Sequence, residues 1–147
     1  MERPPLELKL CISRDRRKLN IQVGARKGVF LLLKREYLLS REQLLIAYEK
    51  AVSIHMNSRK FREVEPIIFM LLTGISQIGP AMERAGLSGN ESEFLVAYAY
   101  KEDLERFLQE NPWVRVSDCT EVPEKDLSVE QIIFERINNV AVDIGSK

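Results

Sequence analysis

The chain has 147 residues, 45% of them apolar and 30% charged, a balance that fits one globular domain and excludes a disordered or fibrous protein. Its 22 basic and 22 acidic residues cancel, yet residues 1–62 hold 15 basic against 6 acidic and residues 63–147 hold 7 against 16, so the halves carry +9 and −9. No apolar run approaches the roughly 20 residues that cross a bilayer, and Met1-Glu2-Arg3-Pro4-Pro5 lacks the layout of a secretion signal, so a cytoplasmic protein with no membrane partner is expected.

Leu6, Leu8, Leu10 and Ile12 alternate with Glu7, Lys9 and Cys11, the period of a half-buried strand. After a short basic loop, Ser13–Lys18, the alternation resumes at Leu19, Ile21 and Val23, so the two runs predict a hairpin. Gly24 and Gly28 bracket Ala25-Arg26-Lys27, and Val29–Leu33 fits either a further strand or a short helix. Ser40-Arg41-Glu42-Gln43 is a capping box, followed by Leu44, Leu45, Ala47, Tyr48, Ala51, Val52 and His55 at helical spacing. Asn57–Arg62 is a basic connector. Glu65-Pro66 suits the first turn of the next helix, where proline costs no hydrogen bond. Ile67–Leu72 is apolar on nearly every side, so that helix should be central and buried, with Gly74 ending it. Ser76 should start a short helix that Gly86 stops. Phe94–Tyr98 predicts a strand, and Lys101–Glu110 an amphipathic helix halted at Asn111-Pro112. Trp113, Val114 and Val116 suggest one more strand. A second capping box, Ser128-Val129-Glu130-Gln131, opens a last helix with Ile132, Ile133, Ile137 and Val140 inside. The order fits one compact α+β domain over residues 1–147, with central buried helices packed on a small, largely antiparallel sheet.

The residues that chemistry needs are sparse. His55 is the single histidine, which excludes a two-histidine metal site, and its place on the apolar stripe fits a packed histidine bonded to backbone or water. Cys11 and Cys119 make neither a disulfide framework nor a metal knuckle, and read as small hydrophobes in a reducing compartment. No serine occupies a nucleophile elbow, and Gly74, Gly79, Gly86 and Gly89 fit neither a phosphate loop nor a dinucleotide fingerprint. Glu102-Asp103 lies on an amphipathic helix and is expected to face solvent. No cofactor and no catalytic activity of its own are expected. The division of charge has two readings: a basic surface that meets a polyanion while acidic helices face a protein, or solvated faces that neutralise one another.

The segment Glu65–Gly86 predicts helix, tight turn, helix, and it resembles the centre of the CGI family, the kinase-binding accessory subunits of KEOPS. Glu65, Thr73-Gly74, Gln77-Ile78, Ala81 and Gly86 match that pattern in register. Gly24-Ala25-Arg26, Ser40–Ala51, Leu87–Tyr98 and Leu127–Val140 resemble other parts of the family, so the likeness spans most of residues 20–142. Ser76 stands where members often carry a basic residue, Pro66 and Pro80 are unusual, and the Leu6–Ile12 strand is expected to be an addition to the family pattern.

The resemblance implies a subunit without an active site. It would bind and stimulate the complex's small atypical kinase and capture the single-stranded 3′ tail of tRNA for threonylcarbamoyladenosine modification. The tRNA-binding residues expected on that basis are Arg26, Arg59, Lys60, Arg62, Thr73, Gly74, Ser76 and Gln77. Arginine and lysine would hold phosphates, and a helix N-terminus at Thr73–Gln77 would add N–H donors. The same turn can also be read as simply capping two helices beside a solvated loop. A free-standing nucleic-acid-binding adaptor with no kinase partner is the alternative, and a small enzyme acting on nucleotides is the rival from another class. Homodimerisation stays open, and the heavy use of Glu, Arg and Ile suits an archaeal source.

Overall fold

A computed structural model describes residues 5–13, 18–21, 26–37, 41–57 and 62–117, together with Ile137 and Ala141. In chain order they form β1 (Glu7–Ser13), β2 (Phe30–Leu33), a 3-10 turn at Arg35–Tyr37, α1 (Arg41–Asn57), α2 (Glu65–Thr73), α3 (Ile78–Ala85), β3 (Glu93–Tyr98), α4 (Lys101–Glu110) and β4 (Val114–Val116). Helices and an antiparallel sheet make the chain α+β, as its apolar periods predict. It divides into two units, residues 1–35 with 87–121 and residues 36–86 with 122–147.

The first unit holds the sheet, ordered β2-β3-β1-β4 with every pair antiparallel. The alternation in β1 does its expected work. Leu8 and Leu10 are buried on one face and Cys11 on the other, with Leu10 opposite Leu95 and Cys11 opposite Phe94. Cys11, Phe30, Leu32, Phe94, Val96, Tyr98 and Val114 form one apolar layer with Leu104 and Phe107 of α4. The Phe107 ring meets Phe94 edge-on at 6.0 Å and Phe30 at 5.8 Å, within the favoured range for aromatic pairs. The run Val29–Leu33, open between strand and helix in the sequence, holds the strand β2, which starts at Phe30.

The expected hairpin does not form. β1 has β3 on one edge and β4 on the other, so no edge is left for the Leu19–Val23 run. Residues 18–21 are instead tied down outside the sheet. The Leu19 N–H donates to the Gly89 carbonyl at 2.9 Å, and Leu19 is buried. Asn111, fully buried after α4, clasps the backbone of Asn20. Its Oδ1 accepts the Asn20 N–H at 2.7 Å, and its Nδ2 donates to the Asn20 carbonyl at 3.3 Å and the Phe107 carbonyl at 3.0 Å. Val23 lies outside the described residues, as do the loop 14–17 and Cys119.

The second unit is helical. In α1, Leu44, Ala47, Tyr48 and Ala51 of the predicted stripe are buried together with Gln43, while Val52 and His55 are half-buried and Leu45 is exposed. Ser40 of the first capping box and Ser128–Gln131 of the second lie outside the described residues. Pro66 sits in the first turn of α2. Every residue of that helix from Ile67 to Thr73 is buried, which bears out the central, all-round apolar helix. The last helix is described at Ile137, which is helical and buried, and at Ala141, which is helical. Among the described residues no helix is long and apolar enough to cross a membrane.

Candidate functional site

The α2–α3 turn is built by Thr73 and Gly74. Gly74 takes a left-handed conformation, φ 77° and ψ 14°, which costs a glycine nothing, and its N–H returns to the Met70 carbonyl at 2.9 Å. The Thr73 hydroxyl donates back to the Phe69 carbonyl at 2.8 Å, with the Met70 carbonyl at 3.3 Å, and accepts the Ile75 N–H at 3.2 Å. It therefore bridges the end of α2 to the turn from a buried position.

Ser76 is still in the turn and half-buried, so the expected start of the second helix there is corrected: α3 begins at Ile78, and Gln77 takes the extended N-cap conformation. The Thr73 bridge to Ile75 prolongs the turn past the serine. Gln77, Ile78, Gly79 and Pro80 are all exposed. The Gln77 side chain does not cap the N-terminus of α3, its first turn holds no acidic residue, and no atom of the described residues lies within 4 Å of where a Gly79 Cβ would stand. Pro80 falls in the first turn, where it has no intrahelical bond to lose. Gly86 closes α3 as predicted, its N–H donating to the Met82 carbonyl at 2.8 Å. One face of α3 exposes Ile78 and Met82, about two-fifths accessible each and one helical turn apart.

The structure thus groups Thr73, Gly74, Ser76 and Gln77 on one turn. Arg62 lies three residues ahead of α2, and its carbonyl accepts from His55 Nε2 at 3.2 Å, so the histidine bonds to backbone as expected. Arg59 and Lys60 lie outside the described residues. Arg26 belongs to the other unit, on the segment leading into β2.

Two features escaped the sequence. Asp103 does not face solvent. It is 7% exposed, and its carboxylate accepts the Lys27 N–H at 2.9 Å and the Gly28 N–H at 3.1 Å. The anchored loop needs an acceptor there, and Asp103 stands four residues before the buried Phe107, a spacing that puts it on the inner side of α4. Tyr100 was not singled out either, and its ring lies against Gly28. Of the cysteines, Cys11 is buried and burial pushes its thiol up to about 12, so it stays protonated and inert at neutral pH. Among the described residues no group of three or more His, Cys, Asp or Glu could hold a metal ion.

A family model described as "Kinase binding protein CGI-121" matches residues 14–141. The match takes in the α2–α3 turn, the anchored loop and β2 through β4. The chain belongs to this family of kinase-binding proteins. No protein of curated function matches it.

Proposed function

We propose that this chain is a non-catalytic accessory subunit of a KEOPS-type complex, working in the cytoplasm. It binds and stimulates the small atypical kinase and recruits the 3′ tail of tRNA for threonylcarbamoyladenosine modification. The observation that carries this reading is the family match over residues 14–141, which rests on a kinase-binding family and takes in the turn between two helices. The exposed Ile78 and Met82 on α3 are the kind of aliphatic contact that a stable protein interface buries at its centre.

The α2–α3 turn also supports an RNA role. With no cap from the Gln77 side chain, the start of α3 can offer backbone N–H groups to a phosphate, and the exposed Gly79 has no side chain to bar its approach. With Ser76 in place of a cation, the positive charge comes from Arg59, Lys60 and Arg62, ahead of α2 in the chain. Thr73 and Gly74 shape the turn, and Ser76 and Gln77 are the side chains nearest a ligand held there.

The test is the ATPase rate of the KEOPS-type kinase from the same genome, measured with the chain alone and then with tRNA. The proposal predicts a raised rate with the chain, and tRNA binding that weakens and loses salt dependence when Arg59, Lys60 and Arg62 are changed together to Ala. Retained tRNA binding with no effect on the kinase would instead make the chain a free-standing nucleic-acid adaptor. An unchanged tRNA affinity in the triple variant would remove those three residues from the site.

A further inference from the structure

The loop ahead of β2 and the start of α4 make a second, separately built surface. Asp103 holds the loop by the N–H groups of Lys27 and Gly28, at 2.9 and 3.1 Å, which fixes the backbone at those two residues. Over that fixed backbone lies Tyr100, the residue that opens α4. A Cβ built on Gly28 would stand 2.6 Å from both Cδ2 and Cε2 of the Tyr100 ring, so the ring rests on the glycine itself. The ring is backed by that hydrogen-bonded loop, and Tyr100 is still 39% exposed. Cations stand on either side in the chain. Lys27 and Lys101 are both exposed, one on the anchored loop and one directly after the tyrosine, with Arg26 one residue further back.

A planar ring presented on a fixed support, with cations beside it, is how proteins hold unpaired bases. The ring stacks on a base face and the cations take the phosphates, with little dependence on sequence. A duplex offers no free base face, so it gains nothing from the ring. We propose that Tyr100, seated on Gly28 and flanked by Lys27 and Lys101, is a stacking platform for one unpaired base of a single-stranded nucleic acid. This rests on the reading above that the chain captures single-stranded RNA, and it concerns the sheet-bearing unit by itself.

The test uses the full chain and a fluorescein-labelled oligoribonucleotide with the 3′-terminal sequence of tRNA, beside a duplex of the same sequence. Tyr100→Ala should weaken single-strand binding about tenfold, and Tyr100→Phe should bind as the parent does, because the ring and not the hydroxyl carries the contact. Gly28→Ala should weaken it too, since the new methyl lifts the ring without altering any charge. Changing Lys27 and Lys101 together to Gln should flatten the dependence of log affinity on log salt by about 1.4, the expectation for two lost phosphate contacts on a single strand. Duplex binding should not distinguish Tyr100→Ala from the parent. Co-elution with the kinase shows that each variant is folded. Parent-like single-strand binding by Tyr100→Ala, or a loss in Tyr100→Phe as large as in Tyr100→Ala, would overturn the platform alone. A parent chain that does not bind the oligonucleotide would overturn both the platform and the RNA half of the proposed function, leaving the kinase half standing.

Discussion

α2 and α4 are nearly the same length, nine and ten residues, but they are used in opposite ways. Eight residues of α2 are buried, Pro66 alone excepted, while α4 buries only Asp103, Leu104 and Phe107. A helix buried all round has its sequence dictated by packing at almost every position, so α2 is where the family likeness is plainest and where ligand chemistry is hardest to find. Even its terminal hydroxyl, on Thr73, is occupied within the fold. A helix buried on one stripe leaves most side chains to solvent and partners, and its inner polar residue can organise a neighbouring loop, as Asp103 does. The positions that packing dictates and those left open to solvent are therefore largely different, although the family-pattern residues Gln77 and Ile78 are both exposed.

Substitutions can break or sharpen this contrast. Leu71, fully buried in α2, should be the most sensitive. Leu71→Ala is expected to lower stability by about 2–5 kcal/mol in urea unfolding, against a change within about 0.5 kcal/mol for Glu105→Ala on the outer face of α4. Equal losses at the two positions would break the contrast. Next comes Asp103→Ala, which leaves two N–H groups without their acceptor. A loss of about 1–3 kcal/mol is expected, with little change for the neighbouring Glu102→Ala, and faster amide exchange at Lys27 and Gly28 should accompany it. Gly74→Ala forces a side chain into the left-handed region and should cost roughly 1–2 kcal/mol by the same assay.

The smallest expected effect concerns pH. Burial raises the Glu91 carboxyl, but the Ser88 N–H, the Ser88 hydroxyl and the Gly89 N–H, at 3.0, 2.8 and 2.9 Å, together hold it below its ordinary value. A depressed carboxyl stabilises the fold above its unfolded pKa, and that contribution disappears as pH falls through the lower folded value. Glu91→Gln should therefore leave a slightly shallower fall in unfolding midpoint on acidification below about pH 4.5, with other carboxyls setting the rest of the slope.

Much of this fold was legible before any coordinates. β1, β3, β4 and the helices α2, α3 and α4 follow from apolar period and from helix stops at Gly74, Gly86 and Asn111, while β2 is one of two readings of its apolar run. Period two says which faces a strand presents, however, and nothing about its partner. Leu19 and Ile21 alternate like strand residues, but β1 already has both edges filled. Nor could spacing reveal that β1, which precedes the family match, is an inner strand of the sheet. Asp103 was misjudged because charge outweighed position. Its four-residue interval to Phe107 was the available signal. The candidate site was legible in part: the turn residues do come together, but that Thr73 is spent on the backbone depends on a rotamer that sequence does not carry. Gly28 and Tyr100 lie far apart in the chain, and it is the β2–β3 register, with Phe30 opposite Tyr98 and the Ala99 N–H on the Val29 carbonyl, that brings them together beside the Asp103 anchor.

The central claim is that this member of the CGI-121 family engages a kinase through exposed residues of α3. Size-exclusion chromatography of the chain mixed with the KEOPS-type kinase from its own genome tests this most directly. One stoichiometric complex, lost on changing the exposed Ile78 and Met82 together to Asp while the variant stays folded, is the predicted result for that surface. Separate elution of the unaltered chain and the kinase, at concentrations well above those in the cell, would contradict the account.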